Sequence, residues 1–321
     1  MVAPADRALT WERVLAWAER RPERLFGYNP WQLGAHVLRT ALRHRVTGPA
    51  AEMSFFAMLT LVPLTVAVGA ALGQIERFVG PEKIVRGQDA AISLVRVVMS
   101  PKLTDGVVDP FVRAQLSQQK GGAAAGGLLL TWWLAGRLFA ATSRALDTAY
   151  RDQHQRLSIT QRLIALGFAF GSVVVVVLTL GIMVDAPFMD EDVALDIGVS
   201  RALIAVWYVG RWPAVLLVLV AFLACLYRFA PSVRHSWRQL VPGAVLGVAL
   251  WILAAVAFRV YLAFGRGAPT GVVVDNAQVV LIGRAVGAVV ATVLWTYFSS
   301  IAILVGNELN AELARRREAT S

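Results

Sequence analysis

The stretch LYRFAPSVRHSWRQLVPGAVLGVALWILAAVAFRVY (Leu226 to Tyr261), read together with WTYFSSIAILVGNELNAEL (Trp295 to Leu313), decides the fold. Both join an apolar run to a short basic or polar flank. A helix rising about 1.5 Å per residue crosses about 30 Å of hydrocarbon in roughly 20 residues, and these runs have that length. The rest of the chain reads the same way. With 57% hydrophobic residues, 16% charged and a mean hydropathy of +0.59, 321 residues carry too little polar surface for a water-soluble globule. The expected class is an all-α integral membrane protein, a bundle of six transmembrane helices with amphipathic surface helices. The six runs fall near 51–73, 123–143, 163–184, 206–229, 242–264 and 279–305, with Arg137 and Arg211 interrupting the second and fourth.

This divides the chain into an amphipathic N-terminal segment (1–49), a six-span domain (50–313) with a long connector at 74–122, and a basic tail (314–321). The segment before the first span is too long for a secretory signal peptide, so that span is expected to be retained. A net charge of +10 admits a nucleic-acid reading, but Lys and Arg cluster in the connectors, where membrane insertion requires them. No nucleic-acid partner is expected. Arg7, Arg13, Arg20, Arg21, Arg24, Arg39, Arg43 and Arg45 precede the first span; Arg144, Arg151, Arg156 and Arg162 follow the second; Arg315, Arg316 and Arg317 end the chain. The third connector, VDAPFMDEDVALDIG (184–198), is acidic, and the fifth holds only Arg266 before Asp275. Both termini are therefore expected in the cytoplasm. The first connector opposes this mildly with seven basic residues, diluted by five acidic ones.

Two segments outside the spans have helical amphipathicity. Over 81–100, Arg86, Asp89, Ser93, Arg96 and Ser100 recur at three and four residues against an apolar face. Asn29-Pro30 reads as a cap with proline at the first helical position, before a face of Trp31, Leu38, Ala41 and Leu42 flanked by arginines. Such a helix suits the anionic inner leaflet. Glycines four apart at 122/126, 167/171, 243/247 and 283/287 favour close helix packing within the chain, or between copies in a homo-oligomer.

Charged and amide groups at membrane depth are costly unless paired or hydrated, so they mark the candidate chemistry. Glu52 and Arg137 stand close enough to one membrane surface to pair, and Asn307, Glu308 and Asn310 reach the same level from the last span. Together they form a candidate substrate path or a structural ion-pair cluster. Arg259 and Arg284 lie near the other surface, where they snorkel or serve an anion path. Pro63 is a candidate helix break or gate. Arg137, Arg144 and Arg151 share a helix face at intervals of seven, with Asp147 placed to bridge the latter two. No lysine follows GxxxxG, and His36, His44, His154 and His235 lack metal-ligand spacing. The single Cys225 excludes a disulfide within the chain. No enzyme activity, metal or cofactor is expected.

The runs AAEMSFFAMLTLVPL (50–64), RLFAATSRALDTAYR (137–151), YRFAP (Tyr227, Arg228 to Pro231), PGA (Pro242, Gly243, Ala244) and GNELNAEL (from Gly306 through Glu308) resemble the YihY/BrkB family of bacterial inner-membrane proteins. The likeness spans about residues 40–313. It departs from the family's usual pattern at Glu52 and Asn307, so a role for either belongs to a subgroup. The resemblance implies a six-span bundle in the bacterial cytoplasmic membrane and links to serum resistance, envelope lipid handling and export. It also carries a former ribonuclease BN label, which lacks a clustered set of His and Asp ligands here. Two functions are expected from these readings: a transporter or exporter of an anionic or amphipathic, lipid-linked substrate, and a non-transporting scaffold for envelope assembly. Membrane lipids are the expected partners. A continuous polar cavity joining Glu52, Arg137 and Glu308 would favour transport, and a dry core would favour the scaffold.

Overall fold

The computed structural model describes residues 11–13, 15–18, 20, 29–79, 121–150, 158–183, 201–233, 236–264 and 277–318. These residues form no β-strand. A short helix, α1 (Pro30–Arg43), precedes six long ones: α2 (Thr47–Val79), α3 (Gly121–Tyr150), α4 (Ser158–Met183), α5 (Arg201–Phe229), α6 (Trp237–Phe264) and α7 (Ala277–Glu318). Among the described residues, four helices, α4 to α7, are both long and apolar enough to cross a membrane. The chain is a membrane protein on that composition. The amphipathic pattern at 81–100 lies outside the described residues.

Each long helix packs on the next, and α7 returns to α2 and α3, closing a ring. Its tightest part lies at one end, where α2, α4 and α6 begin and α3, α5 and α7 finish. Ala50, Met53, Ala141, Leu146, Leu223, Leu226, Tyr227, Leu240, Ala244 and Leu304 are buried there. Farther along the helices, Leu129 (64% exposed), Phe170 (70%), Val209 (72%) and Leu253 (63%) project outward. Such faces need hydrocarbon as their solvent.

The α6–α7 seam explains several of the motif residues. A Cβ on Gly243 would collide with Gly306 O and the Asn310 amide, and one on Gly306 would stand 2.5 Å from both Gly243 O and Tyr227 Oη. Backbone therefore lies against backbone, and only glycine fits. Tyr227 Oη donates to Ile303 O at 2.6 Å, closing α5 onto the same seam. Asn310 docks on the proline-bearing first turns of α6, donating from Nδ2 to Leu240 O (3.1 Å) and accepting from Gly243 N (2.8 Å). Pro231 is fully buried and Arg228 is half-buried.

The described glycines of the other pairs do not pack in this manner. Added Cβ atoms at Gly126, Gly167 and Gly287 meet nothing within 4 Å, and one at Gly171 meets only Phe222 at 3.9 Å. Small size at those positions admits close neighbours without creating them. Pro63, the candidate helix break or gate, lies inside α2, which is helical from Thr47 to Val79, and its side chain is buried.

Candidate functional site

Two polar sites lie near the packed end, one small and built on buried side chains, the other large and lined by exposed arginines. The first is enclosed. Its position begins with the end of α1, which Asn29 starts by accepting from Trp31 N (3.0 Å) and Gln32 N (3.2 Å), as the cap-proline pair suggests. The helix stops at His44. Arg45 takes a left-handed φ of 50°, and Val46 N returns to Ala41 O (3.2 Å) while Arg45 N reaches Leu42 O (3.3 Å). This six-to-one and five-to-two pairing is a Schellman stop, which turns the chain directly into α2. It also aims the His44 ring across the bundle. His44 Nδ1 lies 2.6 Å from Glu308 Oε1 on α7, with side-chain exposures of 15% and 3%.

Glu308 Oε2 has no hydrogen-bond partner among the described residues, although the residue is buried. Neither has Asn307 Oδ1 beside it, while Asn307 Nδ2 donates to Leu146 O on α3 at 3.0 Å. That bond fixes the amide orientation, because the reverse would set oxygen against oxygen. His44, Val46, Pro49, Ala145, Thr148, Ala149, Leu304, Asn307 and Glu308 surround a cavity of about 10 Å³. It accommodates one water-sized guest. Tyr150 lies within electrostatic reach of Glu308 and Arg315, and Arg315 Nη1 donates to Ala149 O at 3.3 Å. One turn on, Glu312 accepts from Arg315 and Arg316.

The second site is open. Trp133, Gly136, Arg137, Ala140 and Arg144 of α3, with Gln161, Arg162, Ala165 and Leu166 of α4, line a groove of about 400 Å³. Arg137 and Arg162 are exposed and have no acidic partner among the described residues. The Arg137 guanidinium sits 5.4 Å from the Phe56 ring and 5.7 Å from that of Trp133. Cation–π contact of this kind holds the head in place without neutralising it. Arg144 Nη2 donates to Glu52 Oε1 at 2.8 Å. Asp147 Oδ1 accepts from Ser232 N (2.6 Å) and Ser232 Oγ (3.0 Å), capping the turn after α5. Arg151 lies outside the described residues.

Several expectations change here. Glu52 pairs with Arg144 and not with Arg137, because α2 starts where α3 ends and the two-turn offset leaves Arg137 about 10 Å farther along. Glu52, Arg137 and Glu308 do not share a cavity: Arg137 lines the groove, Glu308 the enclosed pocket, and Asn310 serves α6. Arg259 is exposed on α6, and the side chain of Arg284 lies outside the described ones. His44, read from sequence as one of four scattered histidines, is the residue that pairs with Glu308 across 264 positions. No local signal marks that contact.

The ribonuclease-like protein YfkH of Bacillus subtilis (strain 168) is 24% identical over 287 residues, which cover 86% of this chain and 92% of that protein. No solved structure matches the chain. The family model for virulence factor BrkB matches residues 37–321. That range takes in the His44 turn, the arginine groove, the Asn307–Glu308 pocket and the α6–α7 seam, and the chain belongs to the BrkB family.

Proposed function

We propose that the protein is a six-span transporter of the bacterial cytoplasmic membrane, with both termini in the cytoplasm, that loads anionic amphiphiles sideways from the inner leaflet into the arginine groove. The observation that carries the reading is the groove itself. Three arginines face it and one of them is offset by Glu52, so a net double positive charge stands beside apolar Trp133 and Leu166. A phosphate or carboxylate head would meet Arg137, Arg144 and Arg162, while its acyl chain would follow the outward apolar faces of α3 and α4. The six long helices support six spans, and the arginines near this packed end support the orientation. RNA cleavage has no part in this reading, since none of these groups forms a hydrolytic constellation.

A second reading, a non-transporting scaffold, is favoured by one observation: the two polar sites share no lining residue, and the core of the packed end is apolar. Transbilayer movement separates the readings. Vesicles containing the protein and a headgroup-labelled phosphatidylglycerol, with and without an imposed pH gradient, report on movement by the fraction of label open to an external quencher. Faster loss of leaflet asymmetry than in protein-free vesicles, abolished by Arg137→Ala with Arg162→Ala, is expected. Rates equal to protein-free vesicles under every gradient, with lipid still bound, would leave the scaffold.

A further inference from the structure

The pocket behind His44 is distinct from the groove, and its chemistry is opposite in sign. Two buried oxygens without a donor among the described residues, Glu308 Oε2 and Asn307 Oδ1, belong to residues that line it. Their residues are only 2% and 1% exposed. In each case the other polar atom of the same side chain is already committed: Glu308 Oε1 to His44 Nδ1 at 2.6 Å, and Asn307 Nδ2 to Leu146 O at 3.0 Å. Both oxygens are therefore aimed by bonds made elsewhere, the arrangement by which outer partners orient cation ligands. The last turn of α3 ends beside them, with Arg315 Nη1 donating to Ala149 O at 3.3 Å.

We propose that this pocket binds one monovalent alkali cation, with Glu308 Oε2 and Asn307 Oδ1 as its side-chain ligands. Hard oxygen donors select an alkali or alkaline-earth ion over a soft metal. One carboxylate balances a single charge, and about 10 Å³ admits a guest the size of a water molecule. His44 contributes by donating from Nδ1 to Glu308 Oε1, which leaves Oε2 for the ion. Because His44 is the C-cap of α1 and Glu308 belongs to α7, the bound ion would tighten the docking of the amphipathic helix on the bundle. This inference does not depend on the groove's role.

The test uses sodium and the purified full chain in lipid nanodiscs. Thermal unfolding in sodium chloride is compared with choline chloride at equal ionic strength, alongside equilibrium binding of radioactive sodium. Expected are a saturable rise in melting temperature with sodium and binding that approaches one ion per chain. Glu308→Gln, which keeps an oxygen for His44 but removes the charge, should lower sodium affinity at least about tenfold, whereas Glu312→Gln leaves it unchanged. Equal melting in both salts with no bound sodium would show the pocket to be a water site and overturn the proposal. So would sodium binding that survives Glu308→Gln intact. If that variant does not fold, wild-type stoichiometry alone decides. Failure here leaves lipid movement untouched, and failure of lipid movement leaves sodium binding untouched.

Discussion

The enclosed pocket and the open groove lie near the same end of the bundle, yet one holds its charge in place and the other leaves its charge to be met. Glu308 is buried, bonded to His44 and backed by an amide that is bonded in turn. Arg137 and Arg162 stand at the surface over aromatic and apolar groups. The contrast shows why depth along a span is a poor guide to role. Burial, geometry and the company of other polar atoms decide whether a charge organises the fold or awaits a ligand.

The largest expected effect lies in the seam that supports the pocket. Gly306→Val would drive a branched side chain into Gly243 O and Tyr227 Oη, and overpacking against backbone should cost about 3 kcal/mol or more. Loss of a monodisperse folded species on heating in detergent would show it; near-wild-type melting would mean that α6 and α7 are not in backbone contact. Next comes Glu308→Ala, which removes the partner of His44 and leaves a cavity, at a cost of about 2–4 kcal/mol. Thermal unfolding checks that value, and a change below about 0.5 kcal/mol would place Glu308 in water.

The groove should respond in the opposite manner. Arg137→Ala is expected to change stability by less than about 1 kcal/mol, since the side chain is exposed, while weakening binding of anionic lipid about tenfold relative to zwitterionic lipid. Lipid retained through purification, measured by mass spectrometry, reports on it. The smallest effect belongs to Glu52→Gln. Its pair with Arg144 is about half exposed on both sides, so solvent screening limits the loss of stability to less than about 0.5 kcal/mol. Freeing Arg144 should raise anionic-lipid binding slightly, and a fall in binding would mean that Glu52 itself contacts the headgroup.

Sequence by itself determined the long helices, because an apolar run of membrane length has few other stable states. It also determined the cap at Asn29-Pro30, whose physics is confined to four residues. Tertiary structure decided the partners. Glu52 meets Arg144 because α2 and α3 are antiparallel with a particular stagger. Glu308 meets His44 because the Schellman turn at Arg45 directs a ring onto a helix that lies 264 residues away. Gly243 and Gly247 pack where Gly167 does not, because a small residue only permits contact and the neighbouring backbone must arrive. Hydropathy and capping are local energies that can be read along the chain, whereas pairing depends on which helices face one another and in what register.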